Sequence, residues 1–291
     1  MQIETLKPSK KRNRHAHVRR YDSMNELVDN VKDTKHFDCV LNSFTPDWIG
    51  KSFTTKRQII DATNGIDQKA MDAMIAFKTV LQENLPEPKT VKRLKRWDEA
   101  NGDEFDNDRF RSGQEAWRKT SRERVSGVKS ITLATMVGGS CSVETEDMMW
   151  TPAVALALCD LLENAGYSVK LIACEYAITA YENEDDCMNV TTLKQPEAAL
   201  DESSMSVFAS GWFFRSVLIG ENYLGCIQAN SKLKGTHGKP AYNISSFCEK
   251  EEIDNELTPQ TGFYQLPSVY NLSDAMMCAL VILKRIEADQ N

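Results

Sequence analysis

The feature that most constrains the fold is a succession of apolar segments between residues 128 and 177. VKSITLATMV at 128–137 predicts a buried strand. MMWTPAVALALCDLLENAGY at 148–167 predicts a buried helix that ends at Gly166, and SVKLIACEYA at 168–177 predicts a second strand. Two strands joined through a helix form a parallel pair with a right-handed crossover. The sequence therefore predicts an α/β domain.

Later segments extend this domain to residues 125–291. The predicted elements are a third strand at 187–195, one or two helices at 202–220 with a break near Ser210, a strand at 262–268 and a final helix at 273–290 capped by Ser273. The polar segment 230–260 predicts loops because it contains Gly and Pro among polar residues. We expect an open, mostly parallel sheet with helices on both faces.

The residues before this domain have a different character. Residues 1–20 are charged and show no periodicity, which predicts a disordered basic arm. The region 21–124 is predicted to be helical and charged. Its first helix begins at Ser23, with Glu26 placed to complete a capping box, and a stronger helix covers 67–85.

Charge is distributed unevenly along the chain. The net charge is −7, yet residues 1–20 hold seven Lys or Arg and one Glu, so that they carry +6 and the rest carries −13. This pattern differs from a uniformly basic nucleic-acid binder. The arm and a second basic cluster at 89–97, where Trp97 is available for base stacking, still provide candidate nucleic-acid-binding residues. They are Lys7, Lys10, Lys11, Arg12, Arg14, Arg19, Arg20, Lys92, Arg93, Lys95, Arg96 and Trp97.

Both basic segments have a simpler explanation. The arm is equally compatible with a solubilising tail, and the 89–97 cluster with a solvated helix face whose Trp97 packs inward. The eight cysteines predict reduced, mostly buried thiols, because no secretory signal and no CxxC pair is present. No structural zinc is expected, and a cytoplasmic location is the default because no apolar run reaches the roughly 18 residues of a membrane span.

The segment Gly138-Gly139-Ser140-Cys141-Ser142 follows the first predicted strand, where α/β proteins bind ligands. A dinucleotide site would need a third glycine, and the GKS at 50–52 lacks the upstream glycine of a phosphate-binding loop. A nucleophile elbow would need glycine in place of Ser142. A hydrolase using Ser140 or Cys141 with His237 as base is thus the least favoured of the alternatives.

The order strand, GGSCS loop, long apolar helix and second strand after AGY resembles the von Willebrand factor A-type fold over about residues 125–220. In that family an Asp and two Ser of the loop hold a divalent metal, usually Mg²⁺. The resemblance places the Asp at Gly138 and the serines at Ser140 and Ser142. Because the carboxylate is missing, we expect no cofactor and no tight metal, with at most weak Mg²⁺ binding assisted by Glu144, Glu146 or Asp147.

A second resemblance involves the charged segment before the first strand. WDEANGDEFDNDRFRSGQEAW resembles a stretch found upstream of the same degenerate core in uncharacterised phage and mobile-element proteins. The matching residues are Gly102, Asp103, Asp106, Arg109, Gly113 and Glu115. That family has no established activity, so the resemblance implies only a phage setting and the host cytoplasm.

These observations favour a non-catalytic binding protein over an enzyme. The first hypothesis is a phage-encoded accessory factor in transcription, replication or genome handling. It would contact DNA, including single-stranded DNA, through its basic segments, and a protein partner through the degenerate von Willebrand A-like core. The alternative is a protein–protein adaptor for an ATPase or structural assembly without nucleic-acid contact. Fold analogy alone supports the ATPase.

Overall fold

The computed structural model describes residues 2–6, 16–32, 37, 41–42, 45–84, 95–98, 104–114, 116–120, 130–139, 143–178, 186–221, 224, 239–240 and 262–289. Within these ranges the strands are β1 Gln2–Leu6, β2 Ala16–Tyr21, β3 Lys95–Asp98, β4 Glu104–Phe105, β5 Trp117–Thr120, β6 Ser130–Met136, β7 Ser168–Ile178, β8 Asp186–Lys194, β9 Lys239–Pro240 and β10 Phe263–Leu266. The helices are α1 Met24–Val31, α2 Pro46–Ile49, α3 Lys56–Thr63, α4 Gln68–Asn84, α5 Asn107–Arg111, α6 Trp150–Asn164, α7 Glu202–Ala209, α8 Gly211–Phe213 and α9 Leu272–Ala288. A 3₁₀ turn at Asp147–Met149 leads into α6, and a π-helical turn at Phe214–Leu218 follows α8.

Seven strands form one sheet in the order β1-β2-β8-β7-β6-β10, with β9 paired to the end of β7. β6 runs parallel to β7 and to β10, and β2 runs parallel to β8. The α/β class and the parallel β6-α6-β7 unit are confirmed. The third predicted strand, β8, is antiparallel to β7, because residues 179–185 are too few for a parallel crossover of about a dozen residues.

The buried apolar side chains form two cores. Both cores take their strand residues from the same face of the main sheet. Side chains alternate between the two faces along a strand, and Ile131 and Leu133 in β6, with Val137 just after it, lie on this face. Helices α4, α6 and α9 cover one end of it, and α1, α2, α3 and α8 cover the other. Residues of the opposite face, such as Ala134 and Cys174, are buried but belong to neither core. The expected second layer of helices is therefore not seen among the described residues.

The helix ends test the capping predictions. Ser23 accepts a hydrogen bond from the Glu26 N–H at 3.2 Å and caps α1 as predicted, while Glu26 accepts from Asp22 rather than from Ser23. Gly166 has φ +102 just after α6, as its predicted C-terminal position requires. The prediction for the last helix is wrong by two residues, because Asn271, not Ser273, accepts from the Asp274 N–H.

The N-terminal segment differs most from expectation. Two parts of the predicted disordered arm are strands: β1 and β2 form an antiparallel pair, and β2 joins the main sheet beside β8, while residues 7–15 lie outside the described residues. Val18, Arg19 and Tyr21 are buried there. The sequence pattern does not indicate this strand, because charged residues stand at positions that are buried in the fold or next to buried positions.

The boundary predicted at residue 125 also needs correction. Residues 21–120 contain the predicted helices, but β3, β4 and β5 form a separate three-stranded antiparallel sheet among them. The main sheet itself combines strands from both sides of residue 125. The predicted loop-rich segment 230–260 lies outside the described residues except for β9.

Two simpler expectations concern cysteines and membranes. Cys159, Cys174 and Cys278 are buried free thiols, as predicted for core positions. Among the described helices, none combines the length and the apolar character that a membrane crossing requires.

Thr151 at the start of α6 offers a test of this architecture. Its hydroxyl donates to the Val269 carbonyl at 3.0 Å and accepts from the Val269 N–H at 2.8 Å, which ties α6 to the segment after β10. Thr151→Val keeps the shape but leaves both backbone groups without a partner. We expect urea titration to show a loss of about 1–3 kcal/mol in the free energy of unfolding. Thr151→Ser keeps both bonds and serves as the control; a Val variant as stable as wild type would contradict the assignment.

Candidate functional site

An aromatic ring packs against Gly138 in the glycine loop that follows β6. Gly138 has φ +123, and a Cβ at this position would lie 2.7 Å from Cε2 of Phe214. The Tyr270 hydroxyl donates to the Gly138 carbonyl at 3.0 Å. The position at which the von Willebrand resemblance places an Asp therefore accommodates only glycine unless Phe214 moves. Ser140 and Ser142 lie outside the described residues.

The residues that follow the loop are also held by packing. Cβ atoms built at Gly50 and Gly211 would lie 2.8 Å and 2.5 Å from Cγ2 of Thr145, so that both glycines allow close approach to this side chain. Arg215, in the π-helical turn, donates to the carbonyls of Val143 and Trp48. This side of the loop is thus built by close contacts within the protein.

The described carboxylates near the loop are either paired or exposed to solvent. Glu146 forms an ion pair with Lys69 at 2.5 Å, and the hydrogen bond from Lys69 lowers the pKa of Glu146. Glu144 and Asp147 are exposed. Among the described residues, no group of three or more His, Cys, Asp or Glu side chains is arranged to hold a metal ion.

A buried polar cluster lies on the sheet face covered by α1. Arg19 Nη1 pairs with Glu221 Oε1, and Tyr21 donates its hydroxyl proton to the same carboxylate oxygen. Asn30 donates to Glu221 Oε2 at 3.1 Å. Only 1% of the Arg19 side chain is exposed, and Glu221 is fully buried. Burial raises the pKa of Glu221 while Arg19 opposes the rise, and burial followed by the Glu221 charge raises the pKa of Tyr21.

A second carboxyl group extends this cluster across the sheet. The strand register places Glu175 beside Asn189 and Asn189 beside Arg19. Asn189 donates to Glu175 Oε2 at 3.2 Å. Burial raises the pKa of Glu175 to about 8, with a smaller contribution from Glu221 and opposition from the Asn189 hydrogen bond. The Glu175 carboxyl group is therefore protonated at neutral pH and acts as a neutral hydrogen-bonding group.

The small sheet brings basic residues together at one of its ends. Lys95 pairs with Thr120 at this end, and Asp98 pairs with Trp117 at the other. Arg96 pairs with Lys119, so that the antiparallel register joins basic residues that are separated in the chain. Glu104 pairs with Arg118 within the sheet, and Asp106 directly follows β4.

Aromatic rings accompany this charge. The rings of Phe105 and Trp117 lie 4.7 Å apart between centroids, and those of Phe105 and Phe110 lie 5.4 Å apart. Phe105 and Phe110 are 43% and 63% exposed. The small sheet, with α5, therefore presents aromatic rings to solvent at the end where Asp98 pairs with Trp117.

Part of the charged 102–115 motif has a structural basis. Asp106 accepts from the Arg109 N–H at 3.0 Å and caps α5. Gly113 has φ +72 just after this helix. Two of the motif residues are thus explained by the start and the end of a short helix, and Gly102, Asp103 and Glu115 lie outside the described residues.

The comparisons with known proteins add one finding. Residues 8–290 match the family described as Domain of unknown function (DUF7192). The chain belongs to this family. No curated protein and no solved structure matches it. The family match extends from β2 to α9 and includes all strands of both sheets except β1.

The candidate nucleic-acid-binding residues fall into three groups by their position in the structure. Arg19 is wrong as a contact residue because it is buried against Glu221, whereas Arg20 beside it is half-buried. Lys95, Arg96 and Trp97 lie in β3. The remaining candidates, Lys7, Lys10, Lys11, Arg12, Arg14, Lys92 and Arg93, lie outside the described residues, as do Cys141 and His237.

The buried polar cluster does not follow from the predicted pattern of strands and helices. One signal was present: Glu175 and Glu221 each stand within or directly after an otherwise apolar run. A charged residue in such a position is buried with a partner, since an unpaired buried charge is too costly. The identity of the partner, about 200 residues away for Glu221, depends on strand order and could not be found from spacing.

Arg19 and Arg20 form a matched pair for testing the ion pair in the DUF7192 chain. Arg19→Met leaves the Glu221 carboxylate buried without its cation, and we expect a loss of about 3–5 kcal/mol in the free energy of unfolding. Arg20→Met, on the neighbouring half-buried position, is expected to change it by about 0.5 kcal/mol or less. Chemical denaturation measures both values. Equal effects would indicate that the N-terminal strand is not docked.

Glu175 predicts a particular pH dependence. The folded protein keeps the proton up to about pH 8, while the unfolded chain releases it near the ordinary pKa of 4.5. The contribution of the protonated Glu175 side chain to the free energy of unfolding is therefore complete below about pH 4.5. It falls as the pH rises and is lost above about pH 8. Relative to Glu175→Gln, wild type should lose roughly 3–5 kcal/mol across this window. Urea titrations at several pH values test this, with exposed Glu144→Gln as control; parallel curves for wild type and Glu175→Gln would contradict it.

Proposed function

We propose that the chain is a non-catalytic binding protein that contacts nucleic acid through the basic end of the small sheet. The observation that carries this proposal is the register of β3 with β5, which places Lys95 and Arg96 of the second basic cluster opposite Thr120 and Lys119. Phosphates are bound by clustered Lys and Arg side chains, which release condensed counterions. The proposal thus relies on the second basic cluster, since Arg19 of the first one is buried.

The acidic character of the whole chain is compatible with this role. Charges on a protein surface are screened over about 10 Å at 0.1 M salt, so local clusters dominate contact with a phosphate. The net charge of −7 then opposes non-specific binding elsewhere on the protein. A binder of this kind contacts nucleic acid with one region and leaves the remaining surface available to other partners.

For the main sheet we propose a degenerate von Willebrand A-like core that docks a protein partner without a metal. Support comes from the order β6, glycine loop, α6 and β7, and from Phe214, which occupies the space that a side chain at Gly138 would need. The phage setting implied by the shared 102–115 motif suggests an accessory factor in transcription, replication or genome handling in the host cytoplasm. Addition of Mg²⁺ is then expected to leave partner binding unchanged.

The nucleic-acid role is tested by a charge-matched pair of variants. Arg96→Gln with Lys119→Gln removes two positive charges from the small sheet, and Arg57→Gln with Lys69→Gln removes two from exposed positions on the main body. We expect the first variant to bind fluorescent DNA about tenfold more weakly, and to lower the slope of log affinity against log salt by about 1.4 on single strands. The second variant should behave as wild type.

Anisotropy titrations with labelled oligonucleotides at several salt concentrations provide both quantities. Circular dichroism of each variant establishes that the fold is retained. Absence of binding by wild type at low salt would overturn the proposed function. Equal weakening in the two variants would show that the effect is one of net charge and not of the small sheet.

A further inference from the structure

We propose that Phe53, Trp212 and Asp67 form an ammonium cage, a binding site for a quaternary ammonium cation, which Lys51 occupies in this structure. The two rings lie 5.4 Å apart between centroids and are inclined by 66°, so that they form two walls of a corner. The Nζ atom of Lys51 lies 4.9 Å from the Trp212 centroid and 5.9 Å from the Phe53 centroid. A cation within about 6 Å of an aromatic centroid is attracted to the ring. The corner thus already accommodates an ammonium group.

Hydrogen bonds hold the third wall, Asp67, in place. Its Oδ2 atom accepts from the Trp212 indole N–H at 2.6 Å, and its Oδ1 atom accepts from the Ala70 N–H at 3.0 Å at the start of α4. The Asp67 N–H donates to Ser206 Oγ in α7 at 3.2 Å. The carboxylate and the indole are therefore fixed relative to each other before a ligand arrives, and this lowers the entropic cost of binding.

Lys51 is an imperfect occupant of the ammonium cage. A primary ammonium group carries N–H donors, which are satisfied by acceptors or by water. Asp67 Oδ2 lies 3.7 Å from Lys51 Nζ, beyond the distance of an N–H···O hydrogen bond, and Lys51 donates to no other oxygen of the described residues. Two rings and a carboxylate at this distance suit a cation with methyl groups in place of N–H donors, because such a cation needs no hydrogen bond.

The occupant lies on the solvent side of the cage and the walls lie on the inner side. The Lys51 side chain is 38% exposed and belongs to the short connection between α2 and α3. Trp212 is 2% exposed and packs in an apolar core, and Phe53 packs against the same core. Rotation of the Lys51 side chain into water therefore opens the cage while its walls stay in place.

The ammonium cage lies beside the loop that follows β6. Gly50 precedes Lys51, and Gly211 precedes Trp212. Both glycines approach the side chain of Thr145, just after the glycine loop. The cage is thus near the edge of the main sheet at which α/β proteins bind ligands.

NMR of the Trp212 indole N–H follows binding directly, because this group donates to Asp67 inside the cage. Wild type titrated with tetramethylammonium chloride should show a saturable shift that equal concentrations of sodium chloride do not produce. Lys51→Ala removes the internal competitor and should bind tetramethylammonium about tenfold more tightly. Lys56→Ala is the matched control, because Lys56 also lies over a ring, 5.7 Å from the Phe37 centroid, but outside the cage.

Two further variants test the walls in the Lys51→Ala background. Asp67→Asn keeps a residue that caps helices and removes the charge, and Phe53→Leu keeps an apolar side chain and removes the ring. Each is expected to weaken tetramethylammonium binding about fivefold or more. Circular dichroism establishes that each variant keeps its fold.

Two results would overturn the inference. Without a saturable shift in wild type, Lys51 is a permanent part of the packing and not a displaceable occupant. If binding by Lys51→Ala survives both Asp67→Asn and Phe53→Leu, the cation is bound elsewhere on the protein.

The source of the cation is identified by comparing choline with a peptide that carries trimethyllysine, and with the same peptide unmethylated. Tighter binding of the methylated peptide supports the cage as a site for a protein partner, and tighter binding of choline supports it as a site for a small molecule. Tighter binding of the unmethylated peptide would contradict the proposed chemistry. No probe contains nucleic acid, so that this inference goes beyond the proposed nucleic-acid contact and is tested independently of it.

Discussion

The ion pair between Arg19 and Glu221 holds together parts of the chain that no local interaction could join. Neither group can be buried alone, because an ion removed from water without a partner costs several kcal/mol. Tyr21 and Asn30 complete the hydrogen bonding of the carboxylate. As a consequence, β2, α1 and the segment after the π-helical turn must assemble together. The polar cluster is then buried between the sheet and α1.

Close packing governs the glycine loop in a comparable way. Gly138 and Gly211 lack side chains where Phe214 and Thr145 approach, so that these two side chains occupy the space beside the glycines. A loop at the end of a central strand is commonly a binding site in α/β proteins. Here the same topological position is used for contact between the sheet and the helices that cover it, while the exposed rings and basic segments lie in the small sheet.

The sequence predicted the centre of the main sheet and several of the helices that cover it, but not the N-terminal strands or the small sheet. The strands at 130–136 and 168–178 and the helix between them follow from long apolar runs, in which burial decides the structure whatever the neighbours are. β2 could not be predicted, because its burial depends on Glu221 and on pairing with β8. The small sheet was missed for a similar reason: its strands are four residues or fewer and gain their structure from register, not from periodicity.

The position of β2 in the sheet has a consequence for how the protein is made. Arg19 and Glu221 are separated by 202 residues, and β8, the neighbour of β2, follows it by more than 160. During synthesis at about 5–20 residues per second, the first strands emerge roughly 10–40 s before Glu221 is added to the chain. Throughout that interval the strand edge of β2 and the charge of Arg19 lack their native partners. The sheet can therefore close only after most of the chain has been synthesised.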